Sequence, residues 1–292
     1  CRILAKSAKE LHATDIASYA VDALSRSKIR EIHIVGRRGP AQAKFTPAEV
    51  RELGELDTAQ PMVDLADLEL DPKSRQEIEA GDAQNPPKNM EILRGFAAQP
   101  PREAPRHIHF HFLKSPCALE GEGRVQRIVL ERNRLEGEPF RLRAVGTGQK
   151  ETLECCLVLR TGGYRGVRIP GVRFDEDRGI IPNEGGRITE NGTPMPGLYA
   201  AGWIKRGPSG IIGTNKPDSA ATVQALLGDL PSLTPCSNRD TGDLLRIIES
   251  RGIHPVTFGD WEHLDATEVE RGKPAGKPRE KFTRVEEMLA VL

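Results

Sequence analysis

At roughly 150 residues per domain, the 292 residues correspond to two domains or one large one. Lys plus Arg total 42 and Asp plus Glu total 42, so no uniform positive field is available for nucleic acid. No apolar run nears the roughly 18 residues that a membrane helix needs, and 37% hydrophobic residues suffice for a packed core. Five cysteines with no CxxC spacing argue against a zinc ribbon, a thioredoxin-type pair or a disulfide framework, and fit a reducing, cytoplasmic setting.

Residues 4 to 27 carry apolar side chains at mostly helical spacing, and Thr14-Asp15 offers a second N-cap, so one or two helices are expected there. The β-branched run from 29 to 35 predicts a strand ending at Gly36, followed by the turn Gly36-Arg37-Arg38-Gly39-Pro40. Thr46, Pro47 and Glu49 together predict a helix start with a capping box, the helix running to about Glu55. From 57 to 105 the chain is polar and rich in Pro, with helices expected near 72 to 79 and 87 to 96. Short strands are expected at 107–113, 124–131, 138–146 and 152–159, a β insertion after the α/β opening. A strand from Gly197 to Trp203 then meets glycine turns, and a helix follows over 216 to 228. From Arg271 to Arg284 six basic residues stand against one acid, which predicts a surface tail.

Several features could carry chemistry, and each has a plainer reading. Arg37 and Arg38 follow a strand, where a doubly wound fold meets an adenosine ribose. Two guanidinium groups there suit a 2′-phosphate, whereas an acid would select the free 2′-hydroxyl; the plain reading is a solvated turn. Glu49 is either the capping acid alone or also a partner for a ribose hydroxyl, and Glu52 is a solvated acid or one aimed at a reactive ring. The segment GWIKRGPSGIIG, Gly202 to Gly213, has four glycines in twelve residues. It suits close backbone approach to a flat ligand with Trp203 against its ring, or else a tight turn with Trp203 in the core. His107, His109 and His111 alternate with apolar residues as on a half-exposed strand, and no acid or Cys adjoins them in sequence to complete a metal site. Cys155 and Cys156 read as buried strand thiols.

These pieces stand in a recognisable order. TDIASYAVDALSRSKIREIHIVGRRGP at 14 to 40, with Gln42, Phe45 and Glu49 to Glu52, resembles the adrenodoxin reductase-like ferredoxin–NADP(+) reductases. FLKSP at 112 to 116, GYRG at 163 to 166, IPNEGGRI at 181 to 188, GLYAAGWIKRGPSGIIGTNK at 197 to 216 and GKPREKFTRVEEML at 276 to 289 extend the resemblance nearly end to end. It implies an α/β fold of two Rossmann-like dinucleotide-binding domains, the NADP domain and part of the FAD domain, with an antiparallel β segment. The expected division is 1–162 for the NADP domain and 163–292 for the returning FAD-domain segment with its basic tail.

The resemblance also implies roles. Arg37 and Arg38 would bind the 2′-phosphate of NADP(H), with Glu49 near the same adenosine. Trp203, Gly210, Ile211 and Ile212 would line the FAD ring, and Glu52 would serve as the acid beside the nicotinamide. The implied activity is NADPH oxidation with single electrons passed to a ferredoxin-type iron–sulfur protein. Both glycine fingerprints of the family, the N-terminal GxGxxG and a later GxGNVAxD, have no counterpart here, so a C-terminal portion of a longer reductase is expected. The alternatives are an inactive fragment that keeps a nucleotide- or partner-binding surface, or a glutamate synthase-type electron-input subunit.

Overall fold

The structure, a computed structural model, describes residues 1–80, 85–161, 163–210, 212–235, 237–238 and 240–292, so Ile211 and Cys236 lie outside the described residues. The chain forms two compact units, Cys1–Val158 with Val256–Leu292, and Leu159–Pro255. Among the described residues no helix is long and apolar enough to cross a membrane.

The first unit opens with three short helices, α1 (Arg2–Ala5), α2 (Ala8–His12) and α3 (Ser18–Ser25), where one or two were expected. A capping box on Ser7 and Glu10 starts α2 and breaks the apolar periodicity into pieces. Strand β1 (Glu31–Val35), helix α4 (Pro47–Gly54), strand β2 (Ala59–Val63), helices α5 (Pro72–Ala80) and α6 (Asn85–Ala97) and strand β3 (Arg106–His111) follow. The three strands form a parallel sheet with β3 in the middle, Ile32 beside Ile108 on one side and Pro61 beside Ile108 on the other. Strand β2 escaped the sequence reading because Gln60 and Pro61 look unlike a strand. Pro61 is tolerated because, among the described residues, β2 pairs on one side only. The buried Gln60 side chain spends its amide on Pro100 O (2.9 Å) and accepts from Arg102 N (2.8 Å). One sheet face packs Ile32, Ile108 and Phe110 against Val50 and Leu53 of α4 and Met90, Leu93 and Phe96 of α6.

Strands β4 (Lys114–Glu120), β5 (Arg127–Glu136) and β6 (Arg143–Glu154) then form an antiparallel sheet in sequence order. The expected insertion is corrected in three places: the strand at 107–113 belongs to the parallel sheet as β3, β4 was not anticipated, and β6 alone stands where strands at 138–146 and 152–159 were expected, stopping before Cys155 and Cys156. Those thiols are half-buried and exposed respectively, contrary to the expected buried strand pair. The second unit carries a small antiparallel sheet of β7 (Asn183–Glu184), β8 (Arg187–Glu190) and β9 (Thr193–Tyr199), with helices α7 (Trp203–Arg206), α8 (Ile212–Asp229) and α9 (Thr241–Ser250).

Helices α10 (Phe258–Gly272) and α11 (Val285–Leu289) return to the first unit, whereas the expected division left the whole tail with the second. Polar contacts explain the return. Glu280 accepts from both the backbone N–H (2.9 Å) and the hydroxyl (2.7 Å) of Ser18, capping α3 from 262 residues away. Lys277, whose side chain is wholly buried, pairs with Glu280 and donates to Ile16 O (2.7 Å), and Lys281 pairs with Asp15 (2.6 Å). The expected surface tail is therefore partly interior, because its charges meet partners on the α2–α3 link. Burial opposes ionisation of Glu280, but the bonds from Lys277 and Ser18 outweigh it and hold the carboxyl down at about 2. Replacing Lys277 with Met removes the partner of a carboxylate held against α3. We expect a loss of about 2 kcal/mol, read from urea unfolding at pH 7.

The opposite face of the parallel sheet carries a ladder of imidazoles. His33 stacks on His109 at 4.7 Å and bonds His111 through Nδ1 and Nε2 (2.9 Å), and Glu31 reaches His107 (3.2 Å) and His109 (2.6 Å). Burial, then Lys114, His33 and His109, push His111 down to about 4, with Glu151 opposing. The unfolded chain therefore takes up this proton near pH 6.5, well before the folded chain does. Stability from His111 is complete above pH 6.5 and is lost as pH falls towards 4. The His111→Gln variant is expected to show a shallower fall in urea midpoint between pH 7 and pH 4.5 than the parent.

Candidate functional site

The turn after β1 is fixed by its backbone. Gly36 N donates to His111 O (2.8 Å), and Gly36 O accepts from Lys114 N (3.1 Å). Arg38 O accepts from Leu113 N (3.1 Å), and Arg37 O accepts from Asn133 Nδ2 (2.8 Å). Beyond the turn, Pro40, Ala41 and Gln42 are buried in a short 3₁₀ helix. Gln42 Nε2 donates to Ser74 (3.0 Å) and Glu77 (2.7 Å) of α5. The arginine side chains have no such anchors. Arg37 is exposed and Arg38 half-buried, and among the described residues neither forms an ion pair. Two adjacent guanidinium groups without a carboxylate form a ready anion site.

Helix α4 carries Glu49 and Glu52. Glu49 completes the expected capping box, accepting from Thr46 N (2.8 Å) and Thr46 Oγ1 (2.9 Å) on its single oxygen Oε2. Those bonds, N–H first and hydroxyl second, lower its pKa against a smaller burial effect. Glu52 pairs with Arg2, whose charge also acts on Glu49. Arg2 is the residue that sequence reasoning missed here, since nothing in its local pattern links it to a helix 50 residues on.

In the second unit, Gly202 adopts φ +73° and begins α7, and its N–H donates to Asp218 Oδ2 (2.6 Å). Asp218 also pairs with Lys205 (3.1 Å), and Lys205 Nζ donates to Thr222 Oγ1 (3.0 Å), which donates to Ala200 O (3.1 Å). Burial opposes ionisation of Asp218, and the Gly202 N–H and Lys205 overcome it, so its pKa is lowered. Trp203 is thereby presented rather than packed: it is 43% exposed, with Tyr164 tilted against it at 5.7 Å. Ile212 is 89% exposed at the start of α8. Gly210 has φ +80°, and a Cβ there would lie 2.3 Å from Thr214 Oγ1, so only glycine fits. Arg206 braces the same turn through Ser209, Thr214 (3.3 Å) and Asn215 (2.6 Å).

The expected residues thus fall into two sets. Arg37, Arg38, Glu49 and Glu52 belong to the first unit, and Trp203, Gly210 and Ile212 to the second. Among the described residues no three His, Cys, Asp or Glu side chains gather to hold a metal, the imidazole ladder included.

No family profile matches the chain. Over 297 aligned residues it is 41% identical to NADPH-ferredoxin reductase FprA of Mycobacterium tuberculosis, covering 99% of this chain and 64% of that protein. It is likewise 41% identical to the mitochondrial NADPH:adrenodoxin oxidoreductase of Bos taurus, covering 100% of this chain and 60% of that one. The solved structure of Mycobacterium tuberculosis FprA in complex with NADPH matches with a TM-score of 0.90 at 40% identity, over 99% of this chain and 64% of that one. Over nearly its whole length the chain is thus similar to ferredoxin- and adrenodoxin-reducing NADPH oxidoreductases. It spans less than two thirds of the length of these relatives. Its mixed α/β architecture, with one parallel and two antiparallel sheets among the described residues, matches the fold of the FprA structure over the shared length.

Asp218 holds two groups of the Trp203 segment at once, the Gly202 N–H and Lys205. In a Trp261→Phe background, where Trp203 is the only indole, the Asp218→Ala change should lower the stability reported by indole fluorescence in urea by roughly 2 kcal/mol.

Proposed function

We propose that this chain supplies the NADP(H)-binding part, and a share of the flavin site, of an FAD-dependent NADPH–ferredoxin oxidoreductase. The observation that carries the reading is the pair Arg37 and Arg38: two cations with no carboxylate partner among the described residues, on a turn whose backbone is pinned. The planar forks of their guanidinium groups match phosphate oxygens. They would hold the 2′-phosphate of NADPH, and Glu49 would offer its remaining oxygen, Oε1, to the same adenosine moiety.

The residues of the second unit fit a flat conjugated ring. Trp203 and Ile212 expose apolar surface, and Gly210 supplies the positive φ that lets the turn close against Thr214 beside them. Ile211, which lies outside the described residues, belongs to the same proposed set. When bound there, the flavin would supply the conversion between the two-electron chemistry of a nicotinamide and the one-electron chemistry of an iron–sulfur cluster. The residues themselves would orient the ring and exclude water from one side of it. Glu52 is proposed as the acid beside the nicotinamide, a role that requires its pair with Arg2 to open. The partner is a ferredoxin-type iron–sulfur protein, by analogy with the relatives. The free thiols at Cys1, Cys117, Cys155 and Cys156 support a reducing, cytoplasmic setting.

The test is NADPH- and NADH-driven reduction of a ferredoxin by FAD-supplemented protein. The parent should prefer NADPH, and the Arg37→Ala/Arg38→Ala double variant should lose about 100-fold of that preference, as expected for two charge-assisted contacts. Equal use of both nucleotides before and after the change would contradict the assignment.

A further inference from the structure

We infer that Asn133 is a positioning residue for 2′-phosphate selectivity, a reading that rests on the proposed role of Arg37 and Arg38. Three consecutive carbonyls of the arginine turn accept hydrogen bonds: Gly36 O from Lys114 N, Arg38 O from Leu113 N, and Arg37 O from Asn133 Nδ2. The first two donors are backbone groups that only a proline would remove. The middle one is a side chain. Asn133 lies on β5, three strands of sequence away from the turn it holds, and is 4% exposed.

The amide is oriented by its partners. A carbonyl oxygen only accepts, so the group facing Arg37 O must be the Nδ2 end, which also donates to Ser115 Oγ (2.8 Å). The Asn133 backbone N–H donates to Leu113 O (2.7 Å), and Leu113 N in turn donates to Arg38 O. Leu113 has φ +55°, a conformation that costs a branched side chain roughly 1 kcal/mol or more and persists only where its surroundings enforce it. Asn133 therefore reaches the turn twice, directly at Arg37 and through Leu113 at Arg38.

Fixing these peptide planes fixes the Cα–Cβ directions of both arginines, and so the volume their guanidinium groups can sweep. Free to rotate, Arg37 would spread its charge over more solvent and lose the fixed starting direction beside Arg38 that a phosphate site needs. An apolar residue at 133 would also leave a strictly accepting carbonyl without its donor, and the peptide would turn to find water. The consequence is specific. Binding of the nucleoside part should survive the loss of Asn133, and discrimination for the 2′-phosphate should not.

The test compares dissociation constants of 2′,5′-ADP and 5′-AMP for the 292-residue chain by calorimetry, since the two ligands differ only in that phosphate. The Asn133→Ala variant should reduce the ratio of affinities about fivefold, the worth of one buried hydrogen bond, with 5′-AMP binding changed less than twofold. Leu130→Val loosens the same strand at a fully buried position away from the turn, and should leave the ratio unchanged. Should Asn133→Ala fail to fold, Asn133→Ser, too short to reach Arg37 O, reads the same ratio. If Arg37→Ala/Arg38→Ala abolishes the discrimination but the Asn133 variants keep it, the positioning role is overturned and the arginine assignment stands. If the arginine variant keeps it, or 2′,5′-ADP does not bind saturably, both are overturned.

Discussion

The hydrogen bonds that clamp the carbonyls of Gly36, Arg37 and Arg38 set the terms for the first unit. Adjacent like charges repel, and a flexible arginine pair would relax into solvent or towards the nearest carboxylate. Here the backbone is committed to β3, to the link into β4 and to β5, so both arginine side chains set out from a fixed point at the strand end. The antiparallel sheet, which looks in sequence like an insertion, acts as the brace that holds the turn of the parallel one.

The second unit repeats the principle with a different chemistry. Asp218 gathers the Gly202 N–H and Lys205 and so settles where α7 starts and where Trp203 stands. In both units a buried or half-buried polar side chain from a later element fixes the turn that exposes the candidate ligand-binding groups. Hydrogen bonds to a charged acceptor contribute more than neutral ones, which suits a glycine turn that cannot hold itself. Apolar burial supplies the cores, and polar contacts supply the placement.

How much of this was legible in sequence follows from the range of each interaction. The α4 capping box could be read because Thr46, Pro47 and Glu49 act within one turn. The parallel strand β1 could be read from its β-branched run. Strand β2 could not, because Gln60 gains its place from Pro100 and Arg102 some 40 residues on and Pro61 from pairing with β3. The tail was misjudged for the same reason: Lys277 is interior only because Ile16, Ser18 and Glu280 meet it there. Arg37, Arg38, Trp203 and Gly210 stood out through residue type and spacing, whereas Arg2, Asn133 and Asp218 act across distances that only the folded chain displays. The family resemblance was legible end to end, and the homologues bear it out.

The most direct measurement is a crystal structure of the chain soaked with NADP+. The account predicts the 2′-phosphate within hydrogen-bonding distance of both the Arg37 and Arg38 guanidinium groups, with the peptide carbonyls of residues 36 to 38 unmoved. A nucleotide bound with its 2′-phosphate in solvent, or with the turn swung away from Asn133, would contradict it.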